Sequence, residues 1–247
     1  MSINEQQMNR YSRHLMLDDI GESGQEKLFS SHVLVVGLGG LGCPVALYLT
    51  AAGIGRLSLV DGDIVEESNL QRQVLYSMHD CGRLKVESAR IALKGLNPEV
   101  EVVAYPEDIS HAVLSTGFDV VVDCTDNLEA RHLMNRYCFE KKVPMVSASA
   151  ICWEGQIITF DFENHRTPCF NCIIDQKLPE PLLMCGSNGV VGPVLGTMGS
   201  CQATAVLRLL LGFFQQHGEL QRYDGKRGQW MNLQFTARSS CEVCGKN

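Results

Sequence analysis

The chain has 247 residues, of which 45% are hydrophobic and 20% charged, and its formal net charge at pH 7 is −7. This composition is typical of a globular protein with a large core and excludes an intrinsically disordered chain. The negative charge, together with the lack of a dense run of lysine and arginine, argues against a nucleic-acid-binding surface.

The N-terminal residues 1–5 do not show the basic and apolar pattern of a secretory signal. Residues 190–214 are apolar enough to suggest a membrane span, but Pro193, Gln202 and Arg208 favour a helix buried in the core. We therefore expect a cytoplasmic protein with no membrane segment. In that reducing compartment, the eleven cysteines are not expected to form disulfides.

Most of the chain alternates apolar strands with helices, which predicts a parallel sheet covered on both faces. Helices are predicted for residues 10–17, 22–30, 41–52, 84–96 and 128–141, and strands for residues 32–36, 56–60, 100–104, 118–123 and 145–150. Beyond residue 150, three strands are expected to be antiparallel: residues 156–162, 220–223 and 229–235, the last two joined as a hairpin.

The fold class that follows is α/β: a Rossmann-like, doubly wound, mostly parallel sheet with antiparallel C-terminal strands. We expect a single domain over residues 1–247, because no linker rich in proline or serine interrupts it. Within it, residues 1–31 form an N-terminal helical arm, residues 32–150 a nucleotide-binding half, and residues 151–247 a second half.

A glycine-rich turn follows the first predicted strand. Gly37, Gly39 and Gly42 fit the pattern G-x-G-x-x-G, and Gly40 lies within it. Such glycines let backbone N–H groups approach a phosphate at the start of a helix. Asp61 ends the next strand, where a carboxylate can bind ribose hydroxyls. The turn does not distinguish NAD from ATP, and glycines that serve only strand–helix packing are the alternative.

A short polar stretch downstream favours ATP. Arg72 and Lys85 can neutralise phosphate charge, which helps adenylate formation much more than hydride transfer. The alternative is a solvated surface patch. The residues proposed to bind the nucleotide here are Ser68, Asn69, Leu70, Gln71, Arg72 and Lys85.

Asp126 and Asn127 follow the strand predicted over residues 118–123, at the end where ligands bind in open α/β sheets. A single carboxylate together with substrate phosphates is a common way to hold Mg²⁺. The alternative is that Asp126 or Asn127 caps the following helix. We expect the functional role, although both can hold.

Two C-x-x-C pairs, Cys169 with Cys172 and Cys241 with Cys244, predict a closed tetrahedral Zn²⁺ site that ties the C-terminal tail to the sheet. Redox C-x-x-C motifs usually open a helix, whereas these lie in a loop and near the chain end. Cys185 lies in a loop with two prolines and is a candidate reactive thiol. The remaining six are expected to be small core residues: Cys43, Cys81, Cys124, Cys138, Cys152 and Cys201.

The ordered motifs GLGGLG, SNLQRQ, Lys85, CTDN and the paired C-x-x-C resemble the ThiF/MoeB family of bacterial relatives of the ubiquitin-activating enzymes. The resemblance covers nearly the whole chain. It implies an adenylyltransferase that uses ATP and Mg²⁺ to adenylate the C-terminal glycine of a small ubiquitin-like sulfur-carrier protein ending in Gly-Gly. A thiocarboxylate then forms with sulfur from a donor protein. Residues 151–247 are accordingly expected to bind the carrier.

The resemblance also implies roles for individual residues. Arg13 resembles an arginine that reaches into the nucleotide site of the partner in a homodimer, and Cys185 matches a cysteine implicated in sulfur handoff. Residues 189–194 and 224–230 look more like the thiamin-pathway branch, with the molybdopterin-pathway branch as the close alternative. More distant alternatives are an NAD-dependent oxidoreductase and a non-catalytic module that binds the carrier. The residues implied to contact ATP or its metal are Gly40, Asp61, Asn69, Arg72, Lys85 and Asp126.

Overall fold

The computed structural model describes residues 3–162, 167–177, 189–213 and 218–245. Its strands form one eight-stranded sheet in the order β3-β2-β1-β4-β5-β6-β7-β8. The strands are β1 (His32–Val36), β2 (Arg56–Val60), β3 (Glu101–Tyr105), β4 (Val120–Asp123), β5 (Met145–Ile151), β6 (Glu154–Phe160), β7 (Glu219–Asp224) and β8 (Gln229–Gln234).

Strands β1 to β5 pair in parallel, and β6, β7 and β8 each join the sheet antiparallel to their neighbour. The predicted fold class is thus confirmed. The chain leaves β1 in one direction to form β2 and returns to its other side to form β4. The crevice between β1 and β4, at their carboxyl ends, is therefore the topological switch point at which α/β sheets bind ligands.

The described helices are α1 (Glu5–Arg10), α2 (Ser12–Leu15), α3 (Gly21–Ser30), α4 (Gly42–Ala52), α5 (Lys85–Leu96), α6 (His111–Leu114), α7 (Leu128–Lys141), α8 (Phe170–Ile173) and α9 (Gly192–Leu211). Two 3₁₀ turns, Glu67–Asn69 and Met78–Asp80, lie between β2 and α5. The N-terminal arm consists of three short helices instead of the two that the sequence predicts.

Two apolar clusters cover the two faces of the sheet. One contains buried residues of α3, α4, α5 and α9, and the other contains buried residues of α6, α7 and α8 together with the four paired cysteines. The nucleotide-type glycine turn borders the first cluster, and the cysteines belong to the second. The sheet therefore separates the two features that the sequence singles out.

Helix α9 is long and apolar enough to cross a membrane by length and composition alone, which is weak evidence for a span. Half of its most apolar window is buried inside the protein, and it packs against α4, β5 and β6. These contacts support the predicted role of α9 as a core helix.

Two predictions about the second half need correction. The strand predicted over residues 156–162 occupies Glu154–Phe160, because the chain turns sharply between β5 and β6. Cys152 lies in that turn with a φ of 54° and is exposed, so its prediction as a core residue is wrong. Cys81 and Cys201 are only partly buried.

Candidate functional site: a nucleotide-type edge and a four-cysteine cluster

The glycine turn connects β1 to α4 and needs its glycines for steric reasons. Gly37 has a φ of +86°, which disfavours other residues, and a Cβ at Gly42 would lie 1.9 Å from the Gly37 carbonyl oxygen. A Cβ at Gly40 would lie 2.6 Å from Leu195 of α9. A Cβ at Gly39, in contrast, would meet nothing closer than 3.7 Å, so the fold leaves open space beside it.

Asp61, at the end of β2, is bound to this turn. Its carboxylate accepts hydrogen bonds from the Leu38 N–H at 2.7 Å and the Asp63 N–H at 2.9 Å. Lys85, the first residue of α5, lies with its Nζ 3.9 Å from Asp61 and donates to Asp63 at 2.7 Å. The structure thus brings together the glycine turn, Asp61 and Lys85, as expected, and adds Asp63, which the sequence reasoning missed.

The side chains of Lys85 and Asp61 are only 7% and 9% exposed, whereas that of Asp63 is 75% exposed. Burial raises the pKa of Asp61 above its ordinary value, against the opposing effects of the Leu38 N–H and the Lys85 ammonium. Ionisation of the Asp61 carboxyl is therefore less favourable in the folded protein than in the unfolded chain. Such a shift is a frequent mark of a ligand site.

The polar stretch after β2 is folded against the glycine turn. Asn69 is buried, and its side-chain amide donates to the Ser68 hydroxyl at 3.3 Å. Arg72 donates to the Ser68 carbonyl at 3.1 Å. Gln73 follows and places its amide nitrogen 3.7 Å from where a Cβ of Gly39 would lie.

Two residues predicted to bind the nucleotide have other surroundings. Leu70 is half-buried and packs against the first apolar cluster. Gln71 is exposed, and its carbonyl lies 2.8 Å from where a Cβ of Gly192 would be, at the start of α9. These contacts are backbone and packing contacts, so they support a structural contribution for both residues.

The loop after β4 touches the glycine turn directly. A Cβ at Gly37 would lie 2.8 Å from the Cys124 carbonyl oxygen and 3.3 Å from the Thr125 nitrogen. Asp126 follows, is exposed, and forms no hydrogen bond or ion pair with the described residues. Asn127 caps α7 by accepting from the N–H groups of Glu129 and Ala130. Asn127 therefore fills the capping role, and Asp126 remains available for a ligand.

A buried ion pair under this loop was missed by the sequence reasoning. Arg131 of α7 lies with its Nε 3.2 Å from Asp123, whose side chain is fully buried at the end of β4. The signal was present, because Arg131, Met134, Asn135 and Cys138 are spaced like the buried face of a helix.

The edge formed by the carboxyl ends of β1, β2 and β4 therefore carries an open backbone turn, a buried carboxylate with its lysine, and the exposed carboxylate of Asp126, which has no partner in the described part of the chain. An anionic ligand can approach the backbone beside Gly39 and the positively charged ends of Lys85 and Arg72. Asp126 can add a cation to such a ligand. This arrangement suits a polyphosphate.

The four paired cysteines come together on the opposite face of the sheet. All four are buried, and their sulfur atoms lie within 4.8 Å of one another, with 3.6 Å between Cys169 and Cys241 and 3.2 Å between Cys172 and Cys244. Four sulfurs bound to one zinc ion are about 3.8 Å apart, so the cluster can hold that metal with no open position. The first pair begins the short helix α8, which the sequence had placed in a loop.

Burial and the neighbouring thiols raise the pKa of Cys169 to about 12. Burial also acts on Cys241, but hydrogen bonds from the Cys244 N–H and the Asn171 amide outweigh it and lower the pKa to about 6. Burial raises the pKa of Cys244 as well. Four buried sulfurs that cannot all ionise by themselves match a site whose charge is supplied by a metal ion.

Arg13 is not part of this edge within one chain. It is exposed on α2, two residues after Tyr11, which packs on Gly53 at the far end of α4 and accepts from Asn97 at 2.8 Å. Helix α4 is about 16 Å long and begins at the glycine turn. Arg13 is therefore held at the opposite edge of the sheet. Cys185 lies outside the described residues.

A model of the ThiF family matches residues 11–243. The sulfur carrier protein ThiS adenylyltransferase of Escherichia coli (strain K12) is 42% identical over 98% of this chain and 97% of its own length. The molybdopterin-synthase adenylyltransferase of the same strain is 41% identical over 99% of each. A Drosophila yakuba protein named adenylyltransferase and sulfurtransferase MOCS3 is 44% identical over 95% of this chain. The chain spans 53% of that protein, about half of its length.

Solved structures share the fold. Crystal structures of E. coli MccB with MccA-N7isoASN and with ATP each have a TM-score of 0.83 to this chain. The first covers 99% of this chain and 76% of MccB at 23% identity, and the second covers 98% and 75% at 24% identity. At this level of identity, the similarity concerns the fold. On the extent of the family match and the identity to the two full-length E. coli relatives, the chain belongs to the ThiF family.

Proposed function

We propose that this protein is an adenylyltransferase that activates the C-terminal glycine carboxylate of a small ubiquitin-like sulfur-carrier protein ending in Gly-Gly. ATP is the nucleotide substrate, and the products are the acyl-adenylate and pyrophosphate. The observation that carries the proposal is the meeting of the glycine turn, the Asp61–Lys85 pair and the Asp126 loop at one edge of a ThiF-family sheet. The relatives named as adenylyltransferases support the reaction class and argue against an NAD-dependent oxidoreductase or a non-catalytic module.

In this proposal, ATP lies along the glycine turn. The open space beside Gly39 lets the phosphates approach the backbone N–H groups, and Asp61 faces the ribose hydroxyls. Asn69 and Arg72 line the same side, and Gln71 contributes through its backbone. The full set proposed to contact ATP or to shape its site is Gly37, Gly39, Gly40, Gly42, Asp61, Ser68, Asn69, Leu70, Gln71, Arg72, Lys85, Asp126 and Asn127.

The chemistry needs little beyond position and charge. The C-terminal carboxylate of the carrier is already ionised at neutral pH, so no general base is required. Arg72 and Lys85 neutralise the negative charge that develops on the α-phosphate during attack. Asp126 would hold Mg²⁺, whose chemical contribution is to offset phosphate charge. An exposed carboxylate that no described residue binds fits that ion.

The four-cysteine cluster is proposed to bind a structural Zn²⁺. A closed set of buried sulfur ligands leaves no position for a substrate. The metal would tie residues 241–244 of the C-terminal tail to α8 and so to the sheet. A cytoplasmic location, where thiols stay reduced, is consistent with this site.

A homodimer would bring Arg13 into the nucleotide site. Arg13 is held at the far end of α4 in its own chain, so only a second chain can place it beside the glycine turn. Large apolar side chains exposed on α1, α4 and α5 are available for such contact, among them Met8 at 47%, Tyr48 at 57% and Ile91 at 60% exposure. Mixing Arg13→Ala and Arg72→Ala variants should restore part of the activity, because one intact site forms per mixed dimer. No restoration would contradict a shared site.

The thiamin-pathway carrier is the first candidate partner, on the resemblance of residues 189–194 and 224–230, and the small subunit of molybdopterin synthase is the alternative. The two E. coli relatives are equally similar to the chain and favour neither carrier. Cys185 is proposed to take part in sulfur transfer after adenylation, with a sulfur-donor protein as a further partner. A Cys185→Ser variant should retain adenylation and lose thiocarboxylate formation.

The test is ATP–pyrophosphate exchange with a thiamin-type and a molybdopterin-type carrier in parallel. Exchange with either carrier supports adenylation, and the active one identifies the pathway. A preparation that holds zinc and binds ATP but shows no pyrophosphate exchange with either carrier would contradict the proposed substrate class.

A further inference from the structure

Arg131 connects three pieces of chain at the edge of the sheet. Its Nε lies 3.2 Å from the Asp123 carboxylate at the end of β4. Its Nη2 donates to the Thr125 carbonyl in the loop that follows, and to the Ala148 carbonyl of β5 at 2.9 Å. One guanidinium therefore spans the end of one strand, the next loop and the neighbouring strand.

The pair is removed from water. The side chains of Arg131 and Asp123 are 7% and 0% exposed, and Asp123 also accepts hydrogen bonds from the hydroxyls of Thr125 and Ser147. The desolvation cost of a buried ion pair largely offsets its attraction, so stability alone is a poor reason for one. A fixed geometry is the other contribution that such a network makes.

The geometry that is fixed belongs to the loop carrying Asp126. Thr125, which precedes Asp126, is held by two hydrogen bonds. Its carbonyl accepts from Arg131, and its N–H donates to the Asp123 carboxylate at 3.0 Å. On the other side, the same Thr125 nitrogen faces Gly37 across the glycine turn. Asp126 itself has no partner among the described residues. Its position therefore depends on its neighbour.

We infer that Arg131 is a positioning residue for Asp126: it holds the Thr125 carbonyl so that the Asp126 carboxylate faces the glycine turn. This inference rests on the proposed function, in which Asp126 holds the metal that accompanies ATP. Outer residues that orient a metal ligand typically change metal affinity or activity by about 10- to 100-fold when they are altered.

Helix α8, which begins directly after Cys169, also packs beside Arg131. The Phe170 ring lies 6.0 Å from the guanidinium carbon, and the Phe170 N–H donates to Asn135 of α7 at 2.9 Å. Phe170 directly follows Cys169. The four-cysteine cluster thus adjoins the residue that holds the Asp126 loop, because α7 and α8 pack on the same face of the sheet.

The test variant is Arg131→Lys, which keeps the charge but loses the planar fork needed to bind Asp123, Thr125 and Ala148 together. Its matched control is Arg136→Lys in the same helix, where the exposed arginine donates a hydrogen bond to the side chain of Gln176 and does not reach the Asp126 loop. Both variants are first compared by thermal unfolding and zinc content, and measured well below their melting temperatures.

The first readout is hydrogen exchange of the peptide covering residues 124–130 in the nucleotide-free protein. Arg131→Lys should raise the exchange rate of this peptide about tenfold or more, while Arg136→Lys leaves it unchanged. This measurement does not depend on the proposed reaction. Unchanged exchange in Arg131→Lys would show that the loop is held without Arg131 and would overturn the inference.

The second readout separates positioning from general stability. In pyrophosphate exchange, the half-saturating Mg²⁺ concentration should rise about tenfold in Arg131→Lys while the KM for the carrier stays constant. In an Asp126→Asn background, adding Arg131→Lys should change the Mg²⁺ dependence no further, because the two act through one carboxylate. Additive effects would overturn the inference. If the parent protein shows no exchange with any carrier, the proposed function fails, and the hydrogen-exchange comparison still decides the role of Arg131 in the loop.

Discussion

The two sites of this protein lie on opposite sides of one sheet and differ in almost every physical property. At the nucleotide-type edge, Asp63 and Asp126 are exposed, and Lys85 is paired at a distance of 2.7 Å with a side chain that water reaches freely. In the four-cysteine cluster, all four cysteines are between 0% and 8% exposed, and their sulfur atoms lie within 4.8 Å of one another. The exposed side chains at the edge can change their contacts when a ligand binds, whereas the buried cysteines contact one another and leave no room for a substrate.

This difference indicates how the fold divides its tasks. A site that performs chemistry needs groups whose interactions are incomplete until a ligand arrives, and Asp126 meets that condition. A site that only stabilises the fold needs the opposite. We therefore expect changes in the cysteine cluster to act on folding, and changes at the edge to act on catalysis with the fold preserved.

The largest effect is expected for Cys172→Ser. Loss of one of four ligands should release the metal and lower the free energy of unfolding by several kcal/mol, which corresponds to a fall in melting temperature of about 10 °C. Metal analysis and calorimetry measure both quantities. Cys152→Ser is the control, since that cysteine is exposed and outside the cluster. A zinc-free variant that melts like the parent would remove the structural role from the cluster.

Asp126→Ala tests the other site. We expect adenylation to fall by about a hundredfold or more, while melting temperature and zinc content stay at the parent values. Glu129→Ala, an exposed acid three residues further on, should retain activity. Pyrophosphate exchange that persists at the parent rate in Asp126→Ala would exclude this carboxylate from the mechanism.

Two glycines in one turn separate folding from binding. A methyl group at Gly42 would collide with the backbone at Gly37, so Gly42→Ala should destabilise the protein by about 2 kcal/mol or more. Gly39→Ala has room and should fold normally, but it should weaken ATP binding, because the methyl group occupies the space beside the backbone. Equal ATP affinity in Gly39→Ala and the parent protein would place the phosphates elsewhere.

The smallest effect concerns a carboxylate that belongs to neither site. The hydroxyl and the N–H of Ser77 donate to Asp80 and hold its pKa below the ordinary aspartate value. The resulting stabilisation is present above that value, about 3.9, and is lost as the pH falls through the lower pKa of the folded state. Asp80→Ala should thus cost less than about 1 kcal/mol at pH 7. The cost should vanish in acid, as unfolding of both proteins at a series of pH values would show, with the exposed Asp19→Ala as control.

The sequence was most informative where local chemistry decides the structure. Strands β1 and β2 and helix α7 have the predicted bounds. The two apolar strands end at Gly37 and Asp61, and Asn127 caps the start of α7. The four cysteines were also predicted to meet, since the spacing within each pair is typical of zinc ligands. The element bounds and the spacing within each cysteine pair depend on neighbours within a few residues, although the two pairs meet across 72 residues.

The remainder depends on contacts between distant parts of the chain. Asp63 joins Lys85 across 22 residues, and Gln202 of α9 donates to the Asp123 carbonyl across 79 residues. No periodicity or motif encodes such pairs. The exposure of Cys152 was missed for a related reason, because an apolar flank does not show that the chain turns back at that position.

The most direct measurement compares two forms of one sulfur-carrier protein, with its C-terminal glycine either as a free carboxylate or as an amide. We predict pyrophosphate exchange with the free carboxylate, none with the amide, and exchange slower by about a hundredfold or more with the free carboxylate in the Asp126→Ala variant. Equal exchange with both forms, or release of phosphate instead of pyrophosphate, would contradict adenylation of the C-terminal carboxylate at this edge of the sheet.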